Sequence, residues 1–133
     1  MAHIAQIKPY DTFDNVKEHV KRGRLLSKGA TPTVSSAGVI TVTDSYHLVA
    51  VASGDTDNLQ VINSGVAAQA GQIVVLQPAV QDKDIVIKKY AGGADNIRTA
   101  VDVTMADVTD TITLMWSGSG WNMIASSTAA TAS

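Results

Sequence analysis

Cysteine is absent from the 133 residues. That excludes a disulfide framework, a thiolate zinc or iron–sulfur site and a cysteine nucleophile, and it fits an oxidising or a reducing compartment equally. Aromatic residues are scarce at 5%, so a core has to be built from Val, Ile, Leu and Ala. No apolar run approaches the roughly 18 residues that a spanning helix needs. The apolar stretch of a secretory signal is not seen at the start, so no leader is expected. Net charge is only −2, which argues against wholesale nucleic-acid binding.

What is present points to a folded β chain. Apolar residues are 45% and charged residues 17%, a balance that supports a packed core over disorder. The length fits one domain with a short arm. Val, Ile and Thr together number 39; their stiff, β-branched side chains suit a pleated, half-buried surface.

Charge divides the chain. Residues 1–30 carry six basic and three acidic side chains, and residues 31–133 carry four and nine. The pattern predicts a basic arm on an acidic body. In the arm, Phe13, Val16 and Val20 recur at helical spacing, with Asp11 or Asp14 at the start and Gly23 at the end. This predicts a short helix whose last turn places Lys21 and Arg22 at the favourable end of the dipole. Chain before it reads as extended, and Lys28 to Pro32 reads as a linker. The expected organisation is an arm over 1–37, a β domain over 38–126 and a small polar tail over 127–133.

From residue 38 short β-rich runs alternate with Gly, Asp, Asn and Ser clusters. Strands are expected near 38–43, 46–52, 58–63, 72–77, 84–89, 97–103, 111–116 and 121–126. That spacing, with no helical period between, predicts an all-β fold: an antiparallel β-sandwich or a jelly-roll-like domain with an extended, partly helical N-terminal arm. Gly71 to Gln77 and Ile85 to Ile87 are apolar on both faces, as central strands are, with Pro78 ending the first. The last hairpin is the clearest element. A loop over Ser117 to Gly120 sets Trp116 opposite Trp121 and Leu114 opposite Met123. Trp116 and Trp121 are the candidates for core or subunit-interface anchors.

Motifs for chemistry are few. The three histidines, His3, His19 and His47, show no metal-ligand spacing, and His47 reads as a surface or hydrogen-bonded sheet residue. Asp55-Thr56-Asp57-Asn58 resembles the start of a calcium loop but lacks the downstream Gly and Glu. Asp82, Asp84, Asp107 and Asp110 read as turn residues bonding their own backbone. Neither a nucleophile elbow nor a phosphate-binding loop is found. The expectation is a protein that is not an enzyme, with no cofactor and no bound metal.

The run Val39 to Val49, then Asp57 to Ile62, Gly71 to Leu76 and Asp95 to Arg98, closes on Asp110 to Trp116 and Gly120-Trp121. This order resembles a β module of tailed-bacteriophage head-decoration, head-fibre and tail-fibre proteins, over about residues 38–126. The resemblance implies a virion component on the capsid exterior, made in the host cytoplasm and assembled as a homotrimer. Small size without heptads favours a capsid decoration, or cement, protein bound to the major capsid protein. The arm then supplies the contacts, through Lys8, Tyr10, Phe13, Val16 and Lys17 and, further on, Val20, Lys21, Arg22 and Arg24. The alternative is a fibre module that binds a host receptor or carbohydrate through loops at 53–58 and 91–96. Membrane and nucleic acid are not expected partners.

Overall fold

The computed structural model describes residues 26–65 and 67–128. The helix expected between Asp11 or Asp14 and Gly23, the named arm residues, His3, His19 and the last five residues lie outside the described residues.

Ten strands form the described chain, with no helix among them. They are β1 (Val39–Val42), β2 (Tyr46–Val49), β3 (Thr56–Leu59), β4 (Val61–Ser64) and β5 (Ile73–Pro78), followed by β6 (Asp84–Ile87), β7 (Ile97–Arg98), β8 (Val103–Met105), β9 (Ile112–Trp116) and β10 (Trp121–Ser126). The all-β, sandwich-like expectation holds: three small sheets turn their inner faces to one core. In β5 the buried positions are Val74, Leu76 and Pro78, and in β6 Ile85 and Ile87, the two-residue alternation of a pleated strand. Trp121, Ile112, Leu114, Met105 and Ile97 complete the core from the C-terminal half.

The sheets are mixed where the sequence reading expects antiparallel pairing. β1 pairs parallel with β4 (Val39 opposite Val61), β2 with β5 (Tyr46 opposite Val75) and β3 with β6 (Thr56 opposite Asp84). Each partner lies three strands onward, so β1, β2 and β3 form one level and β4, β5 and β6 stack on it. The physical reason is a corner. The run expected at 58–63 breaks at Gln60, between buried Leu59 and Ile62. There the amides of Gln60 and Val61 both donate to the Gly38 carbonyl, 2.9 and 3.1 Å. Gly38, at φ 78°, supplies the left-handed backbone this approach needs. The chain changes sheets at that corner without reversing direction, and a hairpin does not form.

The second level is then closed. β9 runs antiparallel to β5 (Leu114 opposite Val74), and β8 runs antiparallel to β6 (Val103 opposite Ile87). On β4 a side chain replaces a strand: Asn96 Oδ1 accepts from the Ile62 amide and Asn96 Nδ2 donates to the Ile62 carbonyl, both 2.8 Å. The sheet edges are thus partly covered, which limits strand addition. The hairpin has the predicted register, Trp116 opposite Trp121 and Leu114 opposite Met123, with a bulge beyond Met123. Pairing does not stop at Pro78. That residue stands opposite Val49, and the Ala79 amide still donates to the Val49 carbonyl, because only the proline's own N–H is missing.

The segment read as a linker is part of the body. Lys28 and Thr33 bridge in parallel to Tyr46 and Ala50. The Gly29 amide donates to the Tyr46 carbonyl (2.8 Å) and the Val34 amide to the Ala50 carbonyl (3.0 Å). Val34 is fully buried. A lone apolar residue between small polar ones is a weak strand signal, so tertiary packing decides this segment.

Candidate functional site

Most sequence-derived candidates among the described residues have a local partner. His47 is buried. Its Nε2 accepts from the amides of Thr43 (3.1 Å) and Asp44 (3.0 Å), and its Nδ1 lies 2.7 Å from the Ala30 carbonyl. A carbonyl only accepts and an amide only donates, so the imidazole carries its proton on Nδ1. His47 therefore fastens the entering segment to the turn before β2.

The aspartates take several roles: Asp84, read as a turn residue, starts β6 with no side-chain hydrogen bond among the described residues, and the carboxylates of Asp82 and Asp107 accept from Gln81 Nε2 and not from their own backbone. Asp57 Oδ2 accepts from the Ala52 amide at 2.6 Å, and Asp110 Oδ2 accepts from the amides of Ala106 and Asp107 at 2.9 and 3.0 Å. Asp55 pairs with Lys83 at 2.6 Å on the surface, and the hydrogen bond and charge of Lys83 hold its carboxyl below the ordinary value. Asp102 accepts from Lys88 Nζ at 2.6 Å and from the Lys89 amide at 2.7 Å. The Lys88 hydrogen bond, then the Lys89 amide, lower its carboxyl as well. Among the described residues no three His, Asp or Glu side chains gather to hold a metal ion.

A different set of residues forms a cleft. Its volume is about 370 Å³, within the range of small-ligand pockets. One wall is the end of β4, with Asn63 and Ser64. A second is the β9–β10 hairpin, with Trp116, Gly118 and Trp121. Ala67, Ala68, Asn96 and Ile62 complete the lining. Trp121 is fully buried. Its ring centroid is 5.4 Å from that of Trp116 at 58°, a tilted pair of the favourable kind. Trp116 is only partly buried and packs against the core. Buried Trp121 thus fixes the indole that faces the cleft.

The polar groups differ in how far they are engaged. Asn96 is held at both ends of its amide by Ile62. Asn63 is exposed on β4, and among the described residues no hydrogen bond engages its side-chain amide. Every lining side chain among the described residues is uncharged. The Arg98 guanidinium donates to Ser119 Oγ and the Ser119 carbonyl (3.3 and 3.1 Å) and stacks 5.3 Å over Tyr90.

Sequence reasoning singled out the two tryptophans and, with the loop at 91–96, Asn96, but not Asn63, whose only signal was a polar residue after Val61-Ile62. No family model, no curated protein and no solved structure matches the chain.

Proposed function

We propose that the chain is a virion structural protein, a capsid decoration protein that binds the assembled phage head through its N-terminal residues and stabilises it. The observation that carries this reading is the division of charge at a fixed point of entry. Residues 1–25 hold five basic and three acidic side chains, and residues 26–128 hold nine aspartates against five Lys and Arg. The boundary falls where Ser27 to Val34 is bonded along β2. A basic segment attached to a well-fastened edge suits reaching over an acidic shell. The acidic body is then kept from lying flat on that shell. Many copies, each binding only the assembled shell, add stability by mass action. The proposal includes a homotrimer bound to the major capsid protein, for which exposed Val80 and Ile124 offer apolar contact surface.

Cosedimentation with purified heads tests it. The full chain should pellet with heads at saturable stoichiometry, and a chain lacking residues 1–25 should stay in the supernatant while keeping its fold. Equal pelleting of the truncated chain, or no pelleting of either, overturns the reading. The fibre alternative is favoured by one feature, the indole-walled cleft.

A further inference from the structure

We infer that the cleft between β4 and the β9–β10 hairpin is the docking site of the chain's own N-terminal segment, with the Phe13 ring seated on Trp116. Three observations converge. First, the cleft suits an apolar occupant. The two-residue alternation of a strand puts Ile62 and Ser64 on the inward side of β4, with Ile62 buried, and Trp116 on the inward side of β9 with Ile112 and Leu114. Ala67 and Ala68 add small apolar surface, and Ala68 and Trp116 pack against the core. Asn96 already has a partner at both ends of its amide. An aromatic ring laid against the indole gains a favourable tilted or edge-on contact beyond the area it buries.

Second, the chain enters the described body at the rim of this cleft. Ser27 Oγ donates to Asp44 Oδ1 (3.1 Å), and Asp44 Oδ2 accepts from Thr43 Oγ1 (2.8 Å). Just before them, Val42 stands opposite Ser64, and its carbonyl accepts from the Gly65 amide at 2.9 Å. One short turn, Val42 to Asp44, therefore touches both the β4 wall and the start of the fastened segment.

Third, the segment has the reach and the side chain. Residues 1–25 hold the only phenylalanine of the chain, with Val16 and Val20 at helical spacing behind it. Leu26 follows Phe13 by 13 residues, up to roughly 45 Å of extended chain, so the ring reaches the cleft from the rim with length to spare. A volume of about 370 Å³ admits inserted side chains and not a folded partner. A tethered segment is present at an effective concentration in the millimolar range, above that of free second copies in dilute solution, and this assigns the cleft to the chain that carries it. One ring contact on a tether closes part of the time. A docked fraction of roughly four in five leaves the unfolding midpoint nearly unmoved when residues 1–25 are removed.

Docking in the cleft does not depend on shell binding, so the two readings fail separately. The chain has no cysteine, so Lys17→Cys carries a nitroxide at one known position, four residues from Phe13. The test follows paramagnetic broadening in the ¹⁵N-labelled full chain at about 50 µM, far below the millimolar effective concentration. The Trp116 indole N–H and the amides of Ser64, Ala68 and Gly118 should broaden, and the amides of Asp82 and Asp107, past the ends of β5 and β8, should not. Adding Phe13→Ala to the nitroxide-bearing chain should reduce the broadening at Trp116 at least threefold. Absence of broadening at Trp116 overturns the proposal, and so does broadening that Phe13→Ala leaves unchanged. A ¹⁵N chain without nitroxide, mixed with an unlabelled chain that bears it, should stay sharp; equal broadening there would assign the cleft to a second copy and overturn docking within one chain.

Discussion

His47 and Gly29 act as two halves of one fastening. The imidazole bonds two amides on one side and the Ala30 carbonyl on the other, and the chain crosses it at Gly29. A Cβ at Gly29 would press into the His47 ring and the Asp44 carboxylate. Gly29→Ala should therefore cost about 1–3 kcal/mol, as forced overpacking does. His47→Ala leaves three backbone groups without their partner, and a loss of about 1–3 kcal/mol is expected. Urea unfolding measures both, and limited proteolysis should cut the His47→Ala chain first between residues 26 and 34. A second residue-scale effect is acid sensitivity. The Asp102 carboxyl is held below its ordinary value of 3.8. A carboxylate lowered on folding contributes stability that is present above its unfolded value and is lost as pH falls through the folded one. Asp102→Asn should flatten the acid limb of stability below about pH 4, as read from unfolding midpoints against pH. An unchanged acid limb would assign the effect to other carboxylates.

At the scale of elements, the β9–β10 hairpin divides its two tryptophans by burial. Trp121 is fully enclosed and Trp116 is not. Trp121→Ala should cost about 3–5 kcal/mol, and Trp116→Ala should cost clearly less. Denaturant midpoints of the two variants check the order, and a larger loss at Trp116 would contradict the packing described. This hairpin was the most legible part of the sequence, because its register depends on a short loop and a local alternation. The positions of most strands were equally legible. Their partners were not: β1 meets β4 and β2 meets β5 across long intervals of chain, and nothing in Val39 to Val42 says which strand it will bond. The break at Gln60 was missed because the residue looks polar-outward in a continuous run, whereas its amide is taken by Gly38 at a corner. The cleft was half legible. Trp116 and Trp121 stand out by size. Asn96 falls in the loop singled out at 91–96, and Asn63 joins the lining only when β4 and the hairpin come together.

At the scale of the whole molecule, the buried core among the described residues runs from Val34 to Trp121. Removal of residues 1–25 should leave a single cooperative unfolding transition with its midpoint little changed, as calorimetry would show. A broad or strongly lowered transition would mean that the first 25 residues belong to the folded unit. The parallel pairs join residues far apart in sequence, from Val39 with Val61 to Tyr46 with Val75. Loop closure has to precede their reward, so refolding on the millisecond-to-second scale of non-local β topologies is expected in stopped-flow fluorescence. Microsecond refolding would point to a nucleus confined to the final hairpin.

The parallel lie of Ser27 to Val34 along β2 also determines how the body responds to mechanical load. Its bonds to β2 are distributed from the Ser27 carbonyl to the Val34 amide. Tension drawn along the strand axis from residue 26 loads them together, in shear. Tension drawn across the sheet opens them singly, from Ser27 onward, like a zipper. An anchor of this design is direction-selective: it holds against a tangential tug and yields to a lifting one. Single-molecule pulling from position 26 against attachment points on different faces should record high rupture forces in the first geometry and low, stepwise release in the second.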